Sequence, residues 1–205
     1  HHAKELGAEI TGDAAELLHE AVGSDLFQLA SELDKLASYT NGGEITEDAV
    51  AEVVGVRRGE TAGDFLDRVL RRDAMGALEL VRHVLAQPKT TGVSLVMALS
   101  TQMLALAWGC CRLDSGLPQS RLEGEYFGLL KSTGAYPGRA WGTAAKAWAA
   151  AARDWSTDEC DRALHALLSA DVALKETKVS SEEQILSTAV LAICAASGAS
   201  RRSAA

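Results

Sequence analysis

The sequence is poor in the residues that build β-sheets, rigid loops and disulfide frameworks. It has three prolines and four cysteines in 205 residues, and aromatic residues make up only 5% of it. Runs of β-branched residues are rare, whereas Ala, Leu and Glu, which favour helices, are common. These shortages argue against a β-sandwich, a barrel or a disulfide-rich domain. The composition predicts an all-α chain.

The few cysteines are spaced in a way that excludes two common kinds of site. Cys110, Cys111, Cys160 and Cys194 have neither zinc-ligand spacing nor the C-x-x-C spacing of redox proteins. We expect small, buried residues in a reducing compartment, and therefore a cytoplasmic protein. No secretory signal is recognised, and His1-His2, at a start without Met, is interpreted as the remnant of a tag or a truncation.

Positive charge is also scarce, because the net charge is −8. A chain that binds nucleic acid alone needs clustered Lys and Arg to neutralise phosphates, so this balance argues against such a role. One cluster, Arg68, Arg71 and Arg72, has two interpretations. It contacts phosphate or an acidic partner, or it is the solvated face of a helix.

Charge is missing altogether from Gly92 to Cys111, a stretch of 20 residues. This is long enough to cross a bilayer. The centre is the polar run Ser100-Thr101-Gln102, however, and there is no aromatic belt at both ends. We therefore predict the buried central helix of a large helical domain, and no membrane partner.

The residues of catalytic chemistry do not converge in the sequence. His19, His83 and His165 lie far apart on separate predicted helices, and none has a second ligand three or four positions away. The stretch "KTTG", Lys89 to Gly92, lacks the frame and the preceding strand of a phosphate loop. We predict that the chain is not an enzyme by itself and holds neither a metal nor a cofactor.

What the sequence does contain is a series of helix starts with capping residues. Thr46 is preceded by Ile45 and followed by Val50, which predicts a hydrophobic staple. The predicted caps Asp13, Ser24 and Thr46 open the helices of a small three-helix unit that ends near Gly55. The predicted division is a three-helix domain over 1–56, a linker over 57–63, a larger helical domain over 64–197 and a tail over 198–205. The predicted caps are Asp13, Ser24, Thr46, Asp73, Ser156 and Ser180.

The first unit carries a family resemblance. The stretch "GSDLFQLASELDKLASYTNGGEITEDAVAEVV", Gly23 to Val54, resembles the lid domain of AAA+ ATPases. More closely, it resembles the lid of the delta subunits of bacterial DNA polymerase III clamp loaders. The similarity lies in a glycine, a leucine-rich helix, a Gly42-Gly43 break and an Ile45-Thr46 helix start.

The rest of the chain is similar to the helical collar domain of the same family. The matching stretches are "DFLDRVLRRDAMGALELVRHVLAQ" from Asp64, "LSTQMLAL" from Leu99 and "LLSADVALKE" from Leu167. No single motif is as specific as a phosphate loop, and it is the order and spacing of all of them that indicate the family.

The resemblance implies a small three-helix AAA+ lid followed by a collar. Active lids place an arginine, which reaches the nucleotide, where this sequence has Phe27. The family therefore implies a non-catalytic assembly module of a clamp loader, part of the DNA polymerase III holoenzyme. It implies the tau/gamma and delta prime subunits as collar partners, primer–template DNA in the full assembly, and a sliding clamp held by a preceding domain. Candidate partner-facing residues are Asp171, Leu174, Lys175, Leu186 and Val190.

A second hypothesis comes from a different class of protein. Trp141, Trp148 and Trp155 recur every seven residues and form a stripe. The stripe is either a seam between helices or the lining of a small-molecule pocket. In the second case, the chain would be the ligand-binding and dimerisation domain of a helical transcription regulator. That hypothesis does not explain a separate three-helix unit at the start.

Overall fold

The computed structural model describes residues 2–22, 26–56, 59–87, 90–134, 141–176 and 180–195. Within these ranges the chain forms eleven helices and two strands of two residues each, which confirms the all-α prediction. The helices are α1 (His2–Glu5), α2 (Gly12–Val22), α3 (Leu26–Tyr39), α4 (Glu47–Val54), α5 (Ala62–Leu70), α6 (Ala74–Leu85), α7 (Gly92–Asp114), α8 (Gln119–Thr133), α9 (Trp141–Ala152), α10 (Thr157–Glu176) and α11 (Glu182–Ala195).

The first part of the chain folds around an apolar cluster of its own. α2, α3 and α4 contribute one face each, including Leu17, Leu36 and Val50. Ile45 and Val50 are both completely buried in this cluster, as the predicted staple requires. The all-α chain nevertheless contains one short strand pair, which was not predicted from the sequence: β1 (Glu9–Ile10) pairs in parallel with β2 (Glu44–Ile45). Two residues are too few to produce a recognisable alternating pattern.

The second part, α5 to α11, is built around α7. Leu99, Met103 and Leu106 of α7 are completely buried. Between them, the Gln102 side chain donates a hydrogen bond to the Leu66 carbonyl of α5 at 3.1 Å. This bond satisfies the amide nitrogen inside the core and fixes α5 against the central helix.

α7 and α10 run antiparallel to each other. Leu174, near the end of α10, lies against Gly92 at the start of α7. Cys160, near the start of α10, neighbours Cys110 near the end of α7. This pairing of ends sets which exposed residues of the two helices lie at the same level.

By length and composition, α7 is the one helix among the described ranges that is able to cross a membrane. Its position explains part of its apolar character, because one face fills the centre of the second cluster. The predicted buried central helix is confirmed for this face.

Three predicted caps are observed. Thr46 and Asp73 accept hydrogen bonds from the backbone at Ala49 and Gly76, and Ser156 forms its box with Glu159. Two predictions were misplaced. Thr11 rather than Asp13 caps α2, and Ser181 rather than Ser180 caps α11, with Gln184 as its reciprocal partner. In both places, adjacent polar residues made the start ambiguous by one or two positions. The predicted Ser24 cap lies outside the described residues.

The two apolar clusters share no residue. The first extends from Ala8 to Val56 and the second from Phe65 to Cys194. α2 and α5 are in contact between them. Residues 57–58 of the predicted linker and the predicted tail from 198 lie outside the described residues. The four-part division of the chain stays a prediction.

Candidate interaction surface

No group of His, Cys, Asp and Glu in the described ranges is arranged to hold a metal ion. His19, His83 and His165 are exposed on α2, α6 and α10. A hydrogen bond with Cys110 and burial raise the pKa of the Cys160 thiol. A thiol with a raised pKa is a poor nucleophile, so this pair fills space in the core.

The structure separates the predicted arginine cluster into three environments. Arg68 forms a surface ion pair with Asp73 at 2.8 Å. Arg71 is exposed, whereas the Arg72 side chain is only 13% exposed and pairs with Glu159 at 3.0 Å. Arg68 and Arg72 are thus engaged within the chain. Arg71 is the most exposed of the three to a partner.

Arg72 joins the corner between α5 and α6 to the start of α10. Its guanidinium lies 3.7 Å from the centre of the Trp155 ring, and the Trp155 indole donates to the Leu70 carbonyl at 3.0 Å. Glu159 also accepts a hydrogen bond from the Ser156 backbone at 2.9 Å. Arg72 has a φ of 58°, a left-handed conformation that is unfavourable for a side chain with a Cβ. The ion pair and the stacking compensate for that conformation.

Asp73 accepts hydrogen bonds at the same corner, from the Arg68 guanidinium and the Gly76 backbone. The backbone N–H of Gly76, followed by the Arg68 guanidinium, holds the pKa of Asp73 below its usual value. The carboxylate therefore stays charged and caps α6. Arg68, Arg72 and Asp73 thus stabilise this corner of the fold.

A groove of about 340 Å³ lies between the ends of α5 and α9. Arg71 and Arg153 line it together with Asp67 and Asp154, and Arg153 lies 3.7 Å from Asp154. Arg72 also lines the groove, as do Leu70 and three alanines. Because charges of both signs are mixed in the lining, no strong field of one sign would select an anion. The phosphate or acidic-partner contact stays a prediction that now depends on Arg71.

The tryptophan stripe contributes to the core of the second cluster. Trp148 and Trp155 are 2% exposed. The Tyr126 ring lies between Trp108 and Trp148, with ring centres 5.0 and 5.5 Å away. Its hydroxyl donates to the Ala105 carbonyl at 2.7 Å, and burial raises its pKa. Trp155 lies beyond the end of α9 at Ala152, so the three tryptophans do not form one helical stripe as predicted. Trp148 and Trp155 fill the core between helices, and Trp141 is partly buried against the same cluster.

The predicted partner-facing residues divide into two groups. Leu186 and Val190 are completely buried, because this face of α11 packs into the second cluster. We therefore correct their assignment, since they offer no side-chain surface to a partner. Leu174 is partly buried against α7. Asp171 and Lys175 form an ion pair at 2.7 Å on the surface of α10.

Large apolar side chains are exposed along α7 and α10. On α7, Met97 is 65% and Leu104 is 59% exposed. On α10, Leu168 is 62% and Val172 is 43% exposed. Single exposed apolar residues are ordinary on protein surfaces, whereas four on two neighbouring helices form a patch.

These side chains lie on the same side of the helix pair. Gln102 of α7 and Glu159 of α10 both face the corner formed by α5 and α6. Leu104 and Leu168 are each about half a turn around their helices from those residues. Both exposed stripes therefore point away from that corner.

The antiparallel pairing of α7 and α10 makes the patch continuous. It places Met97 at the level of Val172, and Leu104 at the level of Leu164, which is partly buried beside Leu168. We call these five residues the α7–α10 surface. The Asp171–Lys175 pair lies at one end of it, and the exposed Asp158 and Asp161 lie at the other.

Sequence reasoning missed the α7 half of this surface, because a helix without charge looks buried on every side. A signal was present nevertheless. Uncharged residues recur on α7 in alternating steps of four and three, at positions 97, 101, 104, 108 and 111. This is the spacing of a face that packs against a second helix. The inward face follows its own pattern, so α7 has two apolar seams.

Phe27 is found where the resemblance indicated a replaced arginine, in the first turn of α3. Its side chain is 92% exposed, and that of the preceding Leu26 is 78% exposed. Residues 23–25, which precede the helix, are outside the described ranges. A phenyl ring cannot supply the charge with which an arginine binds phosphate.

No protein-family model matches the sequence, and no curated protein matches it. Among solved structures, the Bacillus subtilis DNA clamp loader delta protein (YqeN) has a similar fold, with a TM-score of 0.63 and 20% sequence identity. The match covers 95% of this chain and 53% of that one, so this chain spans about half the length of the solved structure. The likeness extends over nearly all of the chain and shows a shared all-α fold.

Proposed function

We propose that this chain is a non-catalytic assembly module of a DNA polymerase III clamp loader, corresponding to the lid and collar of its delta subunit. Such a module holds other subunits in place while the sliding clamp is loaded onto primed DNA during replication. The observation that carries the proposal is the exposed α7–α10 surface, on a fold similar to that of a clamp loader delta protein. A helical layer with an uncovered apolar face is suited to pack against another helical domain.

The proposed partners are the tau/gamma and delta prime subunits, which would contact the collar part of this chain. Primer–template DNA would be near the chain only in the full assembly, since the net charge of −8 does not favour direct binding. In this proposal the sliding clamp would be bound by a different domain, one that precedes the lid in a delta subunit. The place of action would be the cytoplasm.

The proposal includes no ATP binding by this chain. Phe27 stands in the place of the lid arginine, and the sequence has no phosphate loop. We expect a fluorescent ATP analogue to show no saturable binding at concentrations of about 10 µM. Binding that unlabelled ATP displaces would contradict this part of the proposal.

The transcription-regulator hypothesis has less support. It requires an apolar cavity for a small molecule. Five of the residues that line the groove between α5 and α9 are charged, beside Leu70 and three alanines, and Trp148 and Trp155 fill the core instead of lining a pocket.

Size-exclusion chromatography tests the proposal. The chain is mixed with purified tau/gamma and delta prime subunits from the organism that encodes it, and separately with the sliding clamp. We expect co-elution with the subunits and not with the clamp, because the clamp-binding domain is proposed to be a different one. Absence of co-elution with either subunit, or co-elution with the clamp alone, would contradict the proposal.

A further inference from the structure

On one face of α10, residues of matching or complementary type lie at equal distances before and after Leu168. Leu164 and Val172 lie four positions before and after it, and Asp161 and Lys175 lie seven positions before and after it. Steps of three, four and seven keep all five residues on one side of a helix. The pattern is apolar at its centre and has opposite charges at its two ends.

Such a pattern is complementary to itself when a second helix runs in the opposite direction. A two-fold axis at Leu168 places Leu164 opposite Val172 of the second copy. It also places Asp161 opposite Lys175 of the second copy, at both ends of the contact. A two-fold axis repeats every contact, so one favourable pair gives two.

The neighbouring stripe of α7 fits the same axis. Leu104 lies at the level of Leu164, and Met97 lies at the level of Val172. The axis that exchanges Leu164 and Val172 therefore brings Leu104 of one copy toward Met97 of the other. The stripe between Ser94 and Cys111 contains no charge, so two copies meet there without repulsion.

The charges near the axis also favour this register. Asp161 has no ion-pair partner among the described residues, whereas Lys175 is 59% exposed and pairs with Asp171 of its own helix. In the paired arrangement, Lys175 would lie between Asp171 and Asp161 of the second copy. His165, three positions before Leu168, would lie opposite Asp171 three positions after it.

We propose that two copies of this chain associate through the α7–α10 surface, with antiparallel α10 helices and a two-fold axis at Leu168. This goes beyond the proposed function, because it concerns the free chain. The contact is small and the net charge of −8 opposes it, so we expect a weak dimer. The surface that binds a second copy would be covered when another clamp-loader subunit binds there.

Sedimentation equilibrium on the full chain measures the association. We expect a monomer–dimer equilibrium with a Kd of roughly 10–100 µM. The substitution Leu168→Asp places two carboxylates at the axis and should weaken the dimer by about 30-fold or more. The control is Leu191→Asp, because Leu191 is 50% exposed on α11, outside the proposed contact. This control should leave the Kd within about threefold of the wild-type value.

An exchange of charges tests the register. Asp161→Lys should weaken self-association about tenfold, because it faces Lys175 of the second copy, and Lys175→Asp should do the same through Asp161. A mixture of these two variants should dimerise again, because each end of the mixed dimer then joins a lysine to an aspartate. Circular dichroism of each variant verifies that the helices are intact.

Three results would overturn the proposal. A wild-type chain that stays monomeric at about 0.5 mM has no such dimer. Equal losses in Leu168→Asp and Leu191→Asp would place the contact elsewhere. Failure of the two charge variants to dimerise when mixed would exclude the antiparallel register. None of these results depends on binding to clamp-loader subunits, so the dimer and the proposed function fail independently.

Discussion

At Gly109, the absence of a side chain is needed for the close packing of helices in the second cluster. A Cβ at this position would collide with the Tyr126 hydroxyl and lie 3.2 Å from the Ala152 Cβ. Tyr126 cannot move away without losing its hydrogen bond to Ala105 and its contacts with Trp108 and Trp148. The glycine thus permits α7 and α9 to pack closely around the buried tyrosine of α8.

We expect Gly109→Ala to lower the free energy of unfolding by about 2 kcal/mol, because the overpacking outweighs the gain in helix propensity. Gly124→Ala on α8 is the matched control, since a Cβ there has no atom within 4 Å. It should raise stability by about 0.5–1 kcal/mol. Urea denaturation compares the two. Equal effects of the same sign would show that Tyr126 is not constrained as described.

Arg68 and Arg72, which form separate ion pairs at the α5–α6 corner, allow a second prediction. Arg72→Ala removes a guanidinium from between Glu159 and the Trp155 ring, where the Glu159 side chain is only 12% exposed. Since a largely buried charge loses its partner, we expect a loss of about 3 kcal/mol. Arg68→Ala breaks an exposed, solvent-screened pair and should cost much less. Similar losses in urea denaturation would contradict the distinction between them.

These residue roles were only partly visible in the sequence. The arginine cluster was recognisable, but Glu159 is far from Arg72 along the chain, and only the fold brings the two together. In the same way, Leu186 and Val190 lie on an apolar helix face that suits a partner or the core equally well. Periodicity identifies an apolar face but does not say what covers it.

At the level of elements, the two apolar clusters predict separate responses to mutation. Leu36 is completely buried in the first cluster, and Leu99 is completely buried in the second. Leu36→Ala should destabilise α2 to α4 by about 3 kcal/mol and lower only one of two calorimetric transitions. Leu99→Ala should lower the other transition. A single transition that both variants shift equally would mean one cooperative unit.

The helices themselves were largely predictable, because capping chemistry is local and strong. Thr46, Asp73 and Ser156 mark true helix starts. The errors at Asp13 and Ser180 arose where Thr11 and Ser181 offered equivalent hydroxyls nearby. The two short strands were not predictable, since their pairing depends on the packing of the first unit.

At the level of the whole molecule, α7 shows why an interaction surface is harder to predict than a fold. Its inward face is explained by the core, whereas its outward face, with Met97 and Leu104, has no cover within the described chain. A sequence without charge is compatible with both situations. The distinction became possible only when the neighbours of α7 and α10 were known.

The proposed assembly of this chain with other subunits occurs through one surface, the α7–α10 surface. The most direct test is the affinity of the full chain for purified tau/gamma and delta prime subunits, measured by isothermal titration calorimetry. We predict that Leu168→Asp weakens this binding by about 30-fold or more and that Leu191→Asp changes it by less than about threefold. Both variants should keep the wild-type unfolding temperature. Unchanged subunit affinity in Leu168→Asp, or equal losses in both variants, would contradict the assignment of the α7–α10 surface as the assembly site.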